Sequence, residues 1–269
     1  MSHPVTAAII TLNEELSIAR CLGSLTWADE ILVVDGGSKD ATRSICESKT
    51  APWADKIRVI TREWTGFRDQ RNFCLREARH DWILVVDADE ACSPELAAKI
   101  REILNSTQEP ANRAYKVRRI EYFLGKQITA GIWNPSYQDR FFHRKGVQYV
   151  NEIHEYPRFA ALPSLIHEPL HHAPDFGPEK FLYKMNKYTT IEARDRVSQG
   201  MRTNPFRMFF AFFAMFWKNY FYYGAYQDGI HGFTISILEG ISRAVRHVKI
   251  WQFQQEATLK TASLPREGN

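Results

Sequence analysis

Short apolar runs alternate with helical periodicity through the first hundred residues. Residues 5–10, 31–34, 57–61 and 83–86 are brief blocks rich in β-branched side chains. The first, second and fourth have no polar interruption past their first residues, the pattern of strands covered on both faces. Between them, apolar positions recur every three or four residues at Leu16, Ala19, Leu22 and Leu25, and helices are expected over 41–48, 70–78 and 94–104. Ser93-Pro94-Glu95 reads as a helix cap followed by proline at the first helical position. This alternation predicts an α/β domain with a parallel, Rossmann-like sheet and right-handed crossovers.

The pattern changes after a polar break at 105–112. Residues 114–121 and 138–142 read as strands of a mixed extension, separated by the loop Gly131-Ile132-Trp133-Asn134-Pro135. Asn151-Glu152-Ile153-His154-Glu155 follows, and His171 and His172 are expected in a loop. From Glu179 onward the pattern is helical. Phe181, Met185, Tyr188, Ile191 and Val197 fall near one face, and a last helix is expected over about 235–251. The predicted organisation is an α/β domain over 1–178, a helical region over 179–257 and a tail over 258–269.

Composition adds an asymmetry. The apolar share of 44% in 269 residues suffices for a large core. Net charge is +4, yet residues 180–250 alone carry +7, which leaves −3 for the rest. The later part therefore faces something anionic, nucleic acid or a membrane surface. Within it, residues 208–217 form an apolar run between Arg207 and Lys218 that continues into Tyr220-Phe221-Tyr222-Tyr223. Ten residues fall short of the roughly 20 that span a bilayer. Aromatic rings with flanking cations suit an interfacial segment, and a buried or oligomer helix is the alternative. Cys21, Cys46, Cys74 and Cys92 form no C-x-x-C pair, as expected for reduced thiols. Met1-Ser2-His3-Pro4 leads straight into a strand-like run, so no signal peptide is expected and the location is cytoplasmic or on a cytoplasmic surface.

Candidate chemistry gathers where the strands end. Asp87-Ala88-Asp89-Glu90 closes the fourth run. In open α/β sheets the ligand crevice lies beyond the carboxyl ends of the strands. Carboxylates there suit a hard divalent cation, or they merely cap a turn. Residues 11–15, 35–40 and the Arg71-Asn72 helix start reach the same rim. A nucleotide fits such a rim, with a cation on Asp89 bridging its diphosphate and Asp87 accepting from its ribose. No G-x-x-x-x-G-K-[ST] or strand-linked G-x-G-x-x-G is present.

The order of motifs resembles family 2 inverting glycosyltransferases, most closely the lipopolysaccharide core β-glucosyltransferase branch. It runs through Thr11-Leu12-Asn13-Glu14-Glu15, Val33-Val34-Asp35-Gly36-Gly37-Ser38-Lys39-Asp40, Trp64-x-Gly66-Phe67-x-x-Gln70-Arg71-Asn72 and Asp87-Ala88-Asp89-Glu90. It continues through Tyr137-Gln138-Asp139-Arg140-Phe141-Phe142, His154-Glu155, Lys184-Met185-Asn186-Lys187-Tyr188 and Asp228-Gly229-x-x-Gly232-Phe233. The resemblance implies a GT-A-type α/β fold, a nucleotide-sugar donor that is usually UDP-linked, and Mg2+ or Mn2+ on the D-x-D. Thr11, Leu12, Asn13, Glu14, Asp35, Arg71, Asp87 and Ala88 are then expected at the donor and Asp89 at the metal. Trp133, Gln138, Arg140 and His154 are expected at the acceptor. Family members often carry two adjacent aspartates where this chain has Asp35-Gly36.

Inversion needs one base to deprotonate the acceptor hydroxyl. Glu155 matches the His-Glu pair of the family, Glu152 and Asp139 are its rivals, and an ion pair with Arg140 or Arg158 is its alternative role. His172, or else His171, is a candidate further metal ligand or phosphate donor. The expected activity is transfer of a sugar, glucose by the resemblance, to a lipid-linked saccharide such as lipopolysaccharide core. The expected place is the inner face of a bacterial inner membrane, with an anionic membrane surface as partner and no nucleic acid. Two rival readings stand beside it. A haloacid-dehalogenase-type phosphatase needs a downstream lysine and acidic pair, whose only near match is Asp175 to Glu179. A non-enzymatic nucleic-acid binder needs stacking rings interleaved with cations, whereas here the rings form one block.

Overall fold

The computed structural model describes residues 3–105, 113–151, 155–174 and 178–262. The expected polar break beyond Asn105, Glu152, His154 and the end of the expected tail lie outside the described residues. The chain divides into two compact units, Met1–Gln127 with Pro135–Asp175, and Ile128–Asn134 with Phe176–Asn269.

The first unit opens with β1 (Val5–Thr11), α1 (Ile18–Gly23), β2 (Glu30–Asp35), α2 (Thr42–Cys46), β3 (Ile57–Thr61), α3 (Phe67–Glu77) and β4 (Trp82–Asp87). It goes on through β5 (Glu90–Cys92), α4 (Pro94–Leu104), β6 (Ala114–Phe123), β7 (Lys126–Gln127) and β8 (Ser136–His143). The small antiparallel pair β9 (Gln148–Val150) and β10 (Tyr156–Arg158) precedes β11 (Ser164–His172). The main sheet has the order β3-β2-β1-β4-β8-β6-β11-β5, with β7 paired to β6. Strands β3, β2, β1 and β4 are mutually parallel. β8 joins β4 and β6 antiparallel, and β11 runs parallel to β6. The expected GT-A-type class, a mixed α/β sheet with helices following it, is the one observed.

Burial explains the uninterrupted apolar strands. Ala7, Ile9, Ile31, Val33, Leu84 and Val86 face one cluster with Ile18, Leu22, Leu96 and Ile100 of α1 and α4. Ala8, Ile10, Leu32, Val34, Ile83 and Val85 face the other, with Cys74 and Leu75 of α3. Both faces are covered, which keeps the strand centres apolar, and the buried polar residues near the strand starts are partnered, as where Thr6 Oγ1 donates to Glu30 Oε2 at 2.8 Å. Ser93 caps α4 as its sequence suggests, accepting from Leu96 N at 3.0 Å. Because the chain runs outward from β1 to β3 and returns on the other side as β4, the switch point lies between β1 and β4.

One expectation is corrected. His171 and His172 lie on β11, not in a loop. The strand hides in the sequence because Pro169 and several polar residues break its pattern. Only Ile166 and Leu170 are buried in it, and its register against β6 shifts between them.

The second unit contains α5 (Pro178–Ser198), α6 (Pro205–Trp217) and α7 (Ile230–Ala262), the last longer than expected. A π-helical turn over Lys218–Tyr222 and a 3-10 turn over Ala225–Asp228 connect α6 to α7. Buried Asp228 accepts from Thr129 N, Ala130 N and Thr129 Oγ1 at 2.8–2.9 Å, which anchors the 128–134 segment. Asn219 Oδ1 accepts from Ile132 N at 2.7 Å. The Asp228-Gly229-x-x-Gly232-Phe233 motif is thus a folding device within the helical unit. At Gly232 a Cβ would lie 1.7 Å from the Ala225 carbonyl oxygen. Gly232→Ala is therefore expected to destabilise the helical unit by about 1–3 kcal/mol, the usual cost of overpacking. Denaturant unfolding followed by helical circular dichroism checks this, and an unchanged midpoint would refute the close packing.

Candidate active site

The carboxyl ends of β1 and β2 carry two loops that lock together. Thr11 pairs with Asp35 in register, and Gly36 N donates to Thr11 O at 2.8 Å. Asn13, at a positive φ of 56°, receives Lys39 N on its Oδ1 at 2.8 Å and donates its own N–H to Ser38 Oγ at 2.9 Å. Glu14 N donates to Thr42 Oγ1 at 2.8 Å. Asp35 is buried and accepts from Gly37 N and Ser38 N at 3.1–3.2 Å and from Ser38 Oγ at 2.5 Å. Much of the polar sequence on these loops therefore fixes the rim itself. A Cβ at Gly36 would meet Trp64 Cε3 at 2.7 Å and Thr11 O at 3.3 Å, so the indole fills the space where an adjacent aspartate side chain would begin.

Next to this rim, Asp87 at the end of β4 is held by two guanidinium groups. Arg71 of α3 donates through Nη2 at 2.8 Å to Oδ1, and Arg140 of β8 binds Oδ2. Arg140 Nη2 also reaches Glu90 Oε1 at 2.6 Å, while the other Glu90 oxygen accepts from Asp87 N at 3.0 Å. Arg119 of β6 adds a third cation 3.5 Å from Glu90. Burial alone would raise the Asp87 carboxyl. The Arg140 and Arg71 charges outweigh it and hold the group well below the usual carboxylate range. The β6–β8 register passes from Phe141 to Asp139 and skips Arg140, a bulge that re-aims this side chain. Thr11 Oγ1, Arg71 Nη1 and Arg140 Nε are buried without a hydrogen-bond partner among the described residues.

Glu155 joins the same network. Its Oε1 lies 3.3 Å from Arg71 Nε, so its ion-pair partner is Arg71 in place of the expected Arg140 or Arg158. Ala88 is buried in the turn, and Leu12 is partly exposed on the rim. Asp139 pairs with Lys116 at 3.0 Å, and Gln138 donates to Ser136 Oγ at 3.1 Å within β8. Trp133 belongs to the helical unit, where its indole N–H donates to Glu239 at 3.0 Å. His154 lies outside the described residues.

His172 lies beside Asp89. Its Nε2 is 3.3 Å from Asp89 Oδ2, and its Nδ1 meets Glu121 Oε2 at 2.5 Å. Glu121 is itself bound by Arg119 at 2.6 Å. Burial disfavours the charged ring, but the hydrogen bonds to Asp89 and Glu121 prevail and raise its pKa to about 10. The carbonyl of Asp89 accepts from Arg20 Nη2 and Ala173 N, both at 3.2 Å, which ties the D-x-D turn to the end of β11. His171 instead contacts Tyr122 Oη at 3.2 Å. A histidine with one nitrogen on a carboxylate and the other on an aspartate suits metal ligation. Among the described residues no group of three or more His, Cys, Asp or Glu could hold a metal ion. A cation on Asp89 and His172 would thus need ligand oxygens from a substrate or water. Sequence reasoning missed Arg20, Arg119 and Glu121. The i, i+2 spacing of Arg119 and Glu121, which puts them on one strand face, was the available signal.

The sequence profile of glycosyl transferase family 2 matches residues 6–164. The chain belongs to this family. The match takes in Thr11, Asp35, Arg71, Asp87, Asp89, Arg140 and Glu155, and the protein is a glycosyltransferase. An uncharacterized glycosyltransferase of Rickettsia conorii is 27% identical over 98% of this chain and 94% of its own. The lipopolysaccharide core biosynthesis glycosyltransferase LpsC of Rhizobium meliloti is 29% identical over 93% of this chain and 92% of its own. A crystal structure of S. aureus TarS 1–349 aligns over 94% of this chain and 92% of its own, with 14% identity and a TM-score of 0.47, a likeness too distant to carry an argument.

The His172 geometry has a measurable consequence. Its folded pKa of about 10 lies above the ordinary 6.5. The stability it contributes is therefore full below about pH 6.5 and lost as pH rises through about 10. With chelator present, His172→Gln is expected to melt below the wild type at pH 6, and the gap is expected to close above pH 10. A gap that stays constant with pH would show that the charged ring is not its source.

Proposed function

We propose that this glycosyltransferase moves a sugar, with inversion, from a nucleotide-diphosphate donor to a lipid-linked saccharide such as lipopolysaccharide core. The observation that carries the reading is the strand-end constellation. Around Asp87 and Asp89 it offers buried donors on Thr11, Arg71 and Arg140 that no group among the described residues uses. Similarity to LpsC over nearly the whole chain supports the acceptor class. The inner face of a bacterial inner membrane as its place, and glucose as the sugar to test first, rest on the motif resemblance alone.

The residues divide the work by chemistry. Thr11, Leu12, Asn13, Glu14, Asp35 and Ala88 line the donor rim. Asp87, kept anionic by Arg71 and Arg140, retains lone pairs to accept from ribose hydroxyls. Asp89 and His172 would hold Mg2+ or Mn2+, which neutralises charge on the leaving diphosphate when bound. His172 must give up its ring proton for that, so metal loading competes with protonation. Glu155, paired with Arg71, accepts the proton of the acceptor hydroxyl as that oxygen attacks the anomeric carbon from the side opposite the diphosphate. Gln138, Arg140 and His154 are assigned to the acceptor, and Trp133 of the helical unit is by itself a candidate for sugar stacking.

A panel of nucleotide sugars tested by thermal stabilisation, with and without chelator, examines the donor reading. A ligand that binds only the native state raises the melting temperature by mass action. UDP-linked sugars are expected to stand out, and no response to any member would sink the proposal. Asp89→Asn is expected to remove the chelator-sensitive part of donor binding and turnover while the fold persists. Wild-type rates in that variant would end the metal assignment. Glu155→Gln is expected to slow transfer about 10²–10⁴-fold while donor affinity holds. Lower donor affinity with unchanged transfer per bound donor would place Glu155 in the nucleotide site.

A further inference from the structure

The helical unit carries aromatic rings and guanidinium groups that the strand-end chemistry does not use. α6 turns Met215, which is buried, and Phe212, which abuts Gly240, toward α7. Its opposite face presents Phe206, Phe209, Phe210, Phe213 and Trp217, from 46% exposed at Phe210 to 69% at Phe206. Their three- and four-residue spacing lines them along one stripe. Neighbouring rings touch, with centroids 4.2 Å apart for Phe206–Phe210 and 5.1 Å for Phe209–Phe213. Phe221 extends the stripe by packing 4.3 Å from Trp217. At about 200 Å² per aromatic side chain, these rings leave on the order of 700 Å² in water. That exceeds the largest apolar patch of an ordinary soluble monomer, roughly 300–600 Å². Arg207 and Lys218 lie near the two ends of the stripe, one residue inside Phe206 and three before Phe221.

Behind it lies an unbalanced cation cluster. Arg246 of α7 pairs with Glu192 of α5. Arg196 and Arg243 are half-buried and reach no carboxylate among the described residues. Arg196 Nη1 and Arg243 Nη2 instead meet the thioethers of Met201 and Met215, each at 3.7 Å. His247 accepts or donates at 2.9 Å to Thr203 Oγ1, just before α6 begins. Burial, then the charges of Arg246, Arg243, Arg196 and Arg207, hold His247 below its ordinary pKa, while Glu192 and Glu239 are the acidic groups facing Arg243. A thioether is a weak acceptor, whereas a phosphate offers several oxygens to planar guanidinium donors.

We propose that the helical unit docks flat on an anionic phospholipid surface, with the α6 stripe in the interface and Arg196, Arg207 and Arg243 taking head-group phosphate oxygens. This deepens the membrane location proposed above, and rests on it only for the identity of the membrane. Contiguous rings with cations at their ends and behind them match an interfacial helix. Nucleic acid would need the two interleaved. Among the described residues no helix is long and apolar enough to cross a membrane, and docking in the plane requires none.

Co-sedimentation of the purified full chain with vesicles tests the proposal. Tighter binding is expected to phosphatidylglycerol-containing vesicles than to phosphatidylcholine alone, with high salt weakening it without abolishing it. Arg196→Gln with Arg243→Gln is expected to reduce the anionic preference about fivefold per arginine. Phe209→Ser with Phe213→Ser is expected to remove the salt-resistant part while nucleotide-sugar hydrolysis and near-ultraviolet circular dichroism stay unchanged. Acyl chains brominated near the head group are expected to quench wild-type fluorescence more than that of Trp217→Phe, a readout that stands even if the serine variant fails to fold. Equal binding to both vesicle types, no Trp217-dependent quenching, or a folded serine variant that still binds would overturn the proposal. So would stabilisation by inorganic phosphate without vesicle binding, or a dimer that the serine variant dissolves while vesicles have no effect. Vesicle binding without hydrolysis of any nucleotide sugar would leave the docking intact and count against the proposed function alone.

Discussion

The first unit depends on one buried charge balance. Asp87 ends β4 and Glu90 opens β5 three residues later, and Glu90 is wholly buried. Two carboxylates so close are tolerated because Arg140 bridges them and Arg71 and Arg119 flank them. Taking away one partner would strand a buried charge, which costs several kcal/mol in general. The arginines arrive from α3, β6 and β8, so the helix and the mixed extension must both be in place before the end of β4 is electrically settled. Fold and site are therefore coupled through electrostatics as well as packing.

That coupling explains what the sequence made legible. The parallel half of the sheet was readable because burial on both faces leaves a plain apolar signature at residues 31–34 and 83–86. The strand-end positions of Thr11, Asp35 and Asp87 followed from it. The partners were harder to see. Arg140 reaches Asp87 through a bulge, and a bulge leaves no periodic trace. His172 reaches Asp89 because β11 pairs with β5, which sets His172 opposite Glu90, and proline with polar residues masks that strand. Local propensity identifies an element only when its neighbours let it show a clean period, and an edge region half open to water does not.

The helical unit gives the complementary case. Its amphipathic pattern was visible, yet the aromatic run looked alike whether buried or exposed. Only the packing separates Phe212 and Met215, which face α7, from Phe209 and Phe213, which do not. The Asp228 motif, read at first as part of a family signature, organises the 128–134 segment through three hydrogen bonds. A signature residue need not touch substrate to be required.

The contact between Gly36 and Trp64 constrains how this site could change over evolutionary time. An aspartate installed at position 36 meets the indole at its first side-chain atom, so that substitution alone is disfavoured. Replacing Trp64 first opens the space but removes the ring packed 5.0 Å from Phe67 at the start of α3, the helix that carries Arg71. The two positions are therefore epistatic. Of the two mutational routes from the glycine-containing rim to an acidic pair, the accessible one begins at the tryptophan, with Arg71 held less firmly in between.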